Sequence, residues 1–184
     1  MSNPAAGATP ADIIAFWREA GPEKWFKKDA AFDEALRERF LGTHEAAAAG
    51  QLEAWESSAE GALALLLLLD QFPRNMFRND PRTFATDGQA RAVAARALTR
   101  GFDAQFSDLR GFFFLPFMHS EDLADQELCI ALYKAIGDQD GLKWADLHAD
   151  IIRRFGRFPH RNAVLGRETT PEEQAFLDKG GFSG

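Results

Sequence analysis

Three short stretches gather the side chains whose types and spacing could do chemistry. "LLLLLDQFPRNMFR" (65–78) sets Asp70, Arg74 and Asn75 at the end of a leucine run. "PFMHSEDLADQE" (116–127) carries His119 and Glu121, and "FGRFPHRNAVLGR" (155–167) carries His160, Arg161 and Asn162. An arginine fork grips a carboxylate or phosphate bidentately. A histidine near its ordinary pKa can act as an acid, a base or a ligand. The chemistry these residues would support is capture of a small anionic ligand by Asp70, Arg74, Asn75, His119, His160, Arg161 and Asn162. His119 and Glu121 are the candidates for proton transfer, and no residue is committed to catalysis.

Each stretch also has a purely structural reading. Pro73 biases Phe72 away from helical dihedrals, so the leucine helix is expected to end near Gln71. That places Asp70 in a last turn, where the helix dipole disfavours an anion, directly after buried leucines. Asp70 therefore needs a cation, and Arg74, Arg78 or a more distant arginine could lock the helix end. Ser120, Glu121 and Asp122 are explained as helix-start residues. His119 is not explained by capping, and it either hydrogen-bonds across a turn or acts as a base or ligand. Phe158-Pro159 followed by Arg161-Asn162 echoes Phe72-Pro73-Arg74-Asn75. The two could be similar helix-ending turns, or opposite walls of one pocket.

Standard signatures are missing: no GxxxxGK[ST], HExxH, CxxC or GxSxG. No Glu-x-x-His pattern recurs for a dinuclear carboxylate centre, so neither a metal nor a cofactor is expected. Cys129, the single cysteine, rules out an internal disulfide and reads as a small buried hydrophobe. His44, in an alanine-rich polar stretch, is expected at the surface. His148 shares a face with Ile151, Ile152 and Phe155 and is expected in or beside the core.

The net charge of −7 argues against general nucleic-acid binding. Yet residues 151–167 hold five arginines (Arg153, Arg154, Arg157, Arg161, Arg167) and no acid. Such a cationic segment either neutralises the protein's own carboxylates or binds an anion. Seventeen Phe against one Tyr point to rings that fill a core and lack a polar handle. The longest apolar run, 62–69, is far short of the ~20 residues that span a bilayer, and the first ten residues have no signal-peptide pattern. A cytoplasmic protein without membrane contact is expected.

The elements that must position these residues read as helices throughout. Thr9-Pro10 with Asp12 starts one, and Asp29 caps a second. Ser57 with Glu60 and Thr86 with Gln89 look like capping boxes, and Ser107 and Ser120 look like further starts. Gly101, Gly137 and Gly156 look like stops, and Thr170-Pro171-Glu172-Glu173 opens a last helix. The sum is an all-α chain of about eight helices with short connections, which favours antiparallel neighbours. The leucine helix, apolar on every side, should be central. A single domain over 1–184 is expected, with frayed ends at about 1–8 and 179–184.

Together with the opening "IIAFWREAGPEKWF", the three stretches and "TPEEQAFL" near the end resemble the bacterial family catalogued as domain of unknown function 924. The resemblance runs from about Ile13 to about Leu177. It implies a helical fold similar to tetratricopeptide-repeat superhelices, with stacked hairpins. It implies no activity and no catalytic residue.

Two functions follow as expectations. One is a non-enzymatic module whose stacked hairpins bind a protein or peptide partner. The other is an enzyme or small-ligand protein with an Arg/His/Asp pocket for a carboxylate or phosphate.

Overall fold

The computed structural model describes residues 7–182; of the ends expected to fray, 1–6 and 183–184 lie outside the described residues. The helices are α1 (Pro10–Ala20), α2 (Pro22–Trp25), α3 (Ala30–Ala48), α4 (Ala59–Leu66), α5 (Phe72–Met76), α6 (Asp87–Thr99), α7 (Leu115–Met118), α8 (Leu123–Ile136), α9 (Gln139–Phe155) and α10 (Pro171–Asp178). Short 3-10 turns lie between them, and among the described residues there is no strand. The all-α expectation is met. The chain divides into two compact units, one running up to Arg78 and resuming at Arg82–Pro116, the other made of Asn79–Pro81 and everything from Phe117 on.

Local capping chemistry sets several helix starts. Thr9 accepts from the Asp12 N–H and Asp12 reaches back to the Thr9 N–H, closing a capping box with Pro10 at the first helical position. Asp29 accepts from the Ala31 and Phe32 N–H groups at the head of α3. Ser58, rather than Ser57, caps α4, because the Ser57 hydroxyl donates back to the Ala54 carbonyl of the preceding 3-10 turn.

In the first unit α4 packs against α1, α6 and the 3-10 turns around it. Leu63, Leu66, Leu67 and Leu68 are each at most 1 % exposed. Burying a leucine is worth about 1.5–3 kcal/mol, so this run is the main apolar anchor of the unit. Gly61 permits the close approach of the preceding turn: a Cβ there would lie 2.1 Å from the Trp55 carbonyl oxygen.

The leucine helix does not end near Gln71. Phe72 keeps helical dihedrals (φ −59°, ψ −40°) despite the proline after it, and α5 continues to Met76. A π-turn over Leu67–Gln71 joins α4 to α5, and the Phe72 N–H reaches the Leu67 carbonyl, five residues back. That register bypasses the Leu68 carbonyl. Pro73, having no N–H, offers nothing to the Leu69 carbonyl four residues back. Both oxygens are buried and both are met from outside the helix. His44 Nδ1 donates to Leu68 at 2.8 Å, and the Thr86 hydroxyl donates to Leu69 at 2.5 Å. A proline inside a helix is tolerated when neighbours take over the lost ladder bonds, and α3 and the start of α6 do so here.

Two sequence expectations change for this reason. His44 is 6 % exposed, not on the surface. Thr86 makes no cap bond, its hydroxyl being turned to Leu69, and Gln89 donates to the Ala48 carbonyl instead of closing a box.

In the second unit α8 and α9 form a hairpin joined at Gly137 (φ +73°) and Asp138, whose side chain caps α9 through the Gly141 N–H. Asp122, rather than Ser120, caps α8 through Ala124, while the Ser120 hydroxyl accepts from the Asp122 N–H and donates to Asp125. Gln126 is fully buried and its amide donates to the Met118 and Ser120 carbonyls, both at 2.7 Å, closing the turn that holds His119. Ile151, Ile152 and Phe158 form a core that Phe155, Phe176 and Phe182 partly cover. After α10 the Gly180 and Gly181 N–H groups bond back to the Leu177 and Phe176 carbonyls. His148 lies in this core, as expected, with Phe158 and Phe182 against its ring.

Candidate functional site

The first unit holds Asp70, Arg74 and Asn75 on the π-turn and α5. Asp70 is 1 % exposed. The Gln71 amide donates to Asp70 Oδ2 at 2.5 Å, and Arg74 Nη1 lies 3.4 Å from Oδ1. The best geometry of Arg74 is directed elsewhere. Nη1 and Nη2 form a fork on Asp87 at 2.8 and 3.0 Å, and Nη1 also donates to the Asp70 carbonyl at 2.6 Å. Burial opposes the Arg74 charge, but the nearby carboxylates of Asp70 and Asp87 outweigh it and hold its pKa above the ordinary arginine value. The expected ion pair between Asp70 and Arg74 is present, but as the longer arm of a three-residue arrangement.

Asn75 points to a different acid. Its amide donates to Asp33 Oδ1 at 2.8 Å, and Arg78 forks the same carboxylate through Nε (2.6 Å) and Nη2 (3.1 Å). Asp33 and Asp87 escaped the sequence reading. Asp33 sits in the first turn of α3 beside the core residues Phe32 and Leu36, and an acid on an apolar helix face is the signal that would have marked it.

In the second unit a chain of charges links three elements. Arg167 forks Glu121 at 2.7 and 3.0 Å, and Glu121 also accepts the Phe158 N–H at 2.8 Å. Arg167 Nε donates to Asn162 Oδ1 at 2.9 Å, and the Asn162 amide donates to Glu173 at 3.1 Å. Arg157 forks Glu173 at 2.6 and 2.9 Å. Glu173 also accepts the Thr170 N–H at 2.8 Å, so it completes the expected capping box of α10 and an ion pair together.

The electrostatics follow from these contacts. The Arg157 guanidinium, helped by Thr170 and Asn162, holds the Glu173 carboxyl down at about 2. Burial pushes Glu121 up, but Arg167 and the Phe158 N–H outweigh it, and Glu121 titrates below its ordinary value. Glu121 is therefore more than the helix-start residue the sequence suggested, since it ties the α8 entry to 158 and 167.

Arg161 Nη2 donates to the His119 carbonyl at 2.9 Å, and its guanidinium lies 4.5 Å over the Phe158 ring. The bond joining these two candidates thus uses the His119 backbone rather than its imidazole. His160 stands against the rings of Phe158 and Phe182. The structure thus groups His119, Glu121, Arg161 and Asn162 around the backbone of 158, and adds Arg157, Arg167 and Glu173.

The echo between the two Phe-Pro turns has a physical content. Asn75 and Asn162 each donate a side-chain amide to a carboxylate already forked by an arginine, Asp33 by Arg78 and Glu173 by Arg157. The arginine-rich segment is spent largely on the protein's own acids, with Arg154 lying 3.4 Å from Asp150 as well. Burial pushes the Cys129 thiol up to about 12, so it carries no thiolate near neutral pH. Among the described residues no three His, Cys, Asp or Glu side chains cluster to hold a metal, and no helix is long and apolar enough to cross a membrane. A shallow cavity of about 620 Å³ in the second unit is lined by Arg154, Phe155, Glu172, Phe176 and Lys179 among others, and by none of the residues nominated from sequence.

The chain matches, with a TM-score of 0.90 and 52 % identity, the solved structure of a protein of unknown function, ATU0120, from Agrobacterium tumefaciens, over 93 % of this chain and 97 % of that one. Among curated proteins none matches. A family model described as bacterial protein of unknown function (DUF924) matches residues 13–181. With nearly its whole length covered, the chain belongs to the DUF924 family.

Proposed function

We propose that this protein is a non-catalytic helical module that binds a protein or peptide partner, in the manner of tetratricopeptide-repeat-like stacked hairpins. One observation carries the reading. Charged side chains at and beside the nominated positions are engaged within the fold: Arg74 with Asp87 and Glu121 with Arg167, flanked by Arg78 with Asp33 and Arg157 with Glu173. Forked pairs of this kind hold elements together and leave their donors committed. Large apolar side chains meanwhile stand open on the α8–α9 hairpin, Trp144 at 53 % and Leu128 and Leu147 at 42 % exposed.

The competing reading, a protein that binds a small carboxylate or phosphate through Arg74, His119, His160 and Arg161, is less well supported, because its cations already face internal acids or carbonyl oxygens. A thermal-shift screen separates the two. Phosphate, citrate and nucleotides should leave the melting temperature unchanged, while cross-linking of the full chain in an extract of its source organism should yield a saturable complex of fixed stoichiometry. A rise of several degrees with one anion, lost in Arg161→Ala, would transfer the function to the ligand reading.

A further inference from the structure

After α10 the chain doubles back and sets one ring on the core of the second unit. Gly180, at φ +75°, and Gly181 make the turn, their N–H groups bonding to the Leu177 and Phe176 carbonyls at 3.0 Å each. Phe182 then stands 4.6 Å from the His148 ring and 5.2 Å from the His160 ring, at interplanar angles of 62° and 82°. Phe158, wholly buried and 5.6 and 5.7 Å from the same two imidazoles, forms the back of the seat. Edge-to-face contacts on two sides shape a slot for a flat ring, and an aliphatic side chain would forfeit both.

The turn suits this one placement. A side chain is strained at φ +75°, so position 180 needs glycine. A Cβ at 181 would lie 2.6 Å from both the Phe176 carbonyl oxygen and the Phe176 ring, so position 181 needs glycine for clearance. The hold on this strap is slight. Two backbone bonds and one half-buried ring oppose the freedom that a pair of glycines loses on docking. Gly180 and Gly181 also line the shallow cleft of about 620 Å³ between α9 and α10, so one side of the strap faces open space.

We propose that Phe182 is a plug in cis, filling a seat whose ligand in trans is an aromatic side chain, preceded by glycine, on a peptide segment of another protein. This rests on the binding-module reading and names its anchor and its regulation. The present occupant specifies the ligand: a ring in the slot of His148, Phe158 and His160, and no Cβ on the residue before it. The cleft reaches Gly181, one residue from the plug, and offers room for the incoming backbone. A docked strap lowers the apparent affinity to the fraction of chains whose seat is open, so removing the plug raises it.

The test titrates the full chain with the peptide acetyl-Gly-Gly-Phe-amide at millimolar concentrations, followed by the NMR signals of His148, Phe158 and His160. The Phe182→Ala variant should bind at least tenfold more tightly than the wild type. Gly181→Ala, which crowds the strap off Phe176, should also bind more tightly, and this arm stands even if Phe182→Ala misfolds. Both substitutions lie after the last helix, so circular dichroism should match the wild type. Acetyl-Gly-Gly-Leu-amide and acetyl-Gly-Ala-Phe-amide should leave the three signals unmoved. Equal affinity of the wild type and the folded Phe182→Ala variant, or equal binding of the Leu peptide, overturns the proposal. So does a wild-type dimer in sedimentation that Phe182→Ala abolishes, since a second copy would then own the seat. If the cross-linked complex in extract forms alike with the wild type and Phe182→Ala and the Phe peptide does not compete, the seat is wrong and the binding-module reading survives. If neither chain forms a complex, it is that reading which falls.

Discussion

The Nδ1 of His44 donates to the Leu68 carbonyl at 2.8 Å across 24 residues of chain, filling one of the two places that the π-turn leaves open. Since a carbonyl only accepts, the proton is on Nδ1. Removing the donor in His44→Leu leaves a buried oxygen unmet, and the expected loss is about 1–3 kcal/mol, read as a fall of several degrees in melting temperature. Burial also holds the imidazole below its ordinary 6.5. With the folded pKa depressed, the neutral ring's contribution is present in full above about 6.5 and is lost as the pH falls below it. The wild type should therefore lose stability relative to His44→Leu as the pH falls below about 6.5, and parallel curves for the two would count against the assignment.

Thr86 and Pro73 should be energetically coupled through the Leu69 carbonyl. Thr86→Val removes the hydroxyl donor at that oxygen and should cost about 1–2 kcal/mol. Pro73→Ala supplies the backbone N–H that an α-helix aims four residues back. In that background Thr86→Val should cost less, by about 1 kcal/mol, in a double-mutant cycle. Strictly additive losses would mean the hydroxyl is not standing in for the missing N–H.

Glu173 gives an acid-range signature. Its carboxyl, held at about 2 against an ordinary 4.5, stabilises the fold fully above about 4.5 and progressively less as the pH falls towards 2. Glu173→Gln should cost on the order of 2 kcal/mol at neutral pH, and the gap to wild type should narrow in that window. Denaturant titrations at several pH values measure it, and a gap that stays constant down to pH 2 would exclude the Arg157 pair as its source.

Two glycines in helices should respond with opposite signs to alanine. At Gly42 in α3 an added Cβ meets nothing within 4 Å, so Gly42→Ala should raise stability by up to about 1 kcal/mol through helix propensity. At Gly61 the Cβ would sit 2.1 Å from the Trp55 carbonyl, a backbone atom that cannot swing aside, so Gly61→Ala should cost about 1–3 kcal/mol. Thermal melts of the two variants suffice, and two shifts of the same sign would refute the contrast.

What could be read from the sequence was what depends on near neighbours. The helix start at Thr9-Pro10, the box at Thr170/Glu173, the Asp29 cap and the stops at Gly137 and Gly156 involve residues a turn apart, and all stand in the structure. The end of the leucine helix was misjudged because its continuation depends on His44 and Thr86, 24 and 17 residues from the carbonyls they serve. Thr86 illustrates the competition: its hydroxyl can cap only one group, and a buried carbonyl outweighs a helix N–H that other partners can satisfy. In the candidate site the arginines were visible but their partners were not. Glu121 meets Arg167 across 46 residues and Arg78 meets Asp33 across 45, and no local pattern announces such pairs. Asp70 has its expected contact with Arg74, but at 3.4 Å, because Asp87, inside an apparent capping motif, presents both oxygens to the same guanidinium.

The run of consecutive leucines is nearly featureless to its surroundings. Slipped by one residue or one turn, it would present much the same grease to α1, α3 and α6, because apolar contact has no direction. The π-turn removes that degeneracy. Two carbonyls turned out of the ladder can each be met at one axial position only, by His44 on one side and Thr86 on the other. The helix is thus indexed to its neighbours like a key with two notches. An insertion or deletion of a single residue within 67–73 should scramble the unit even when every residue added or removed is another leucine.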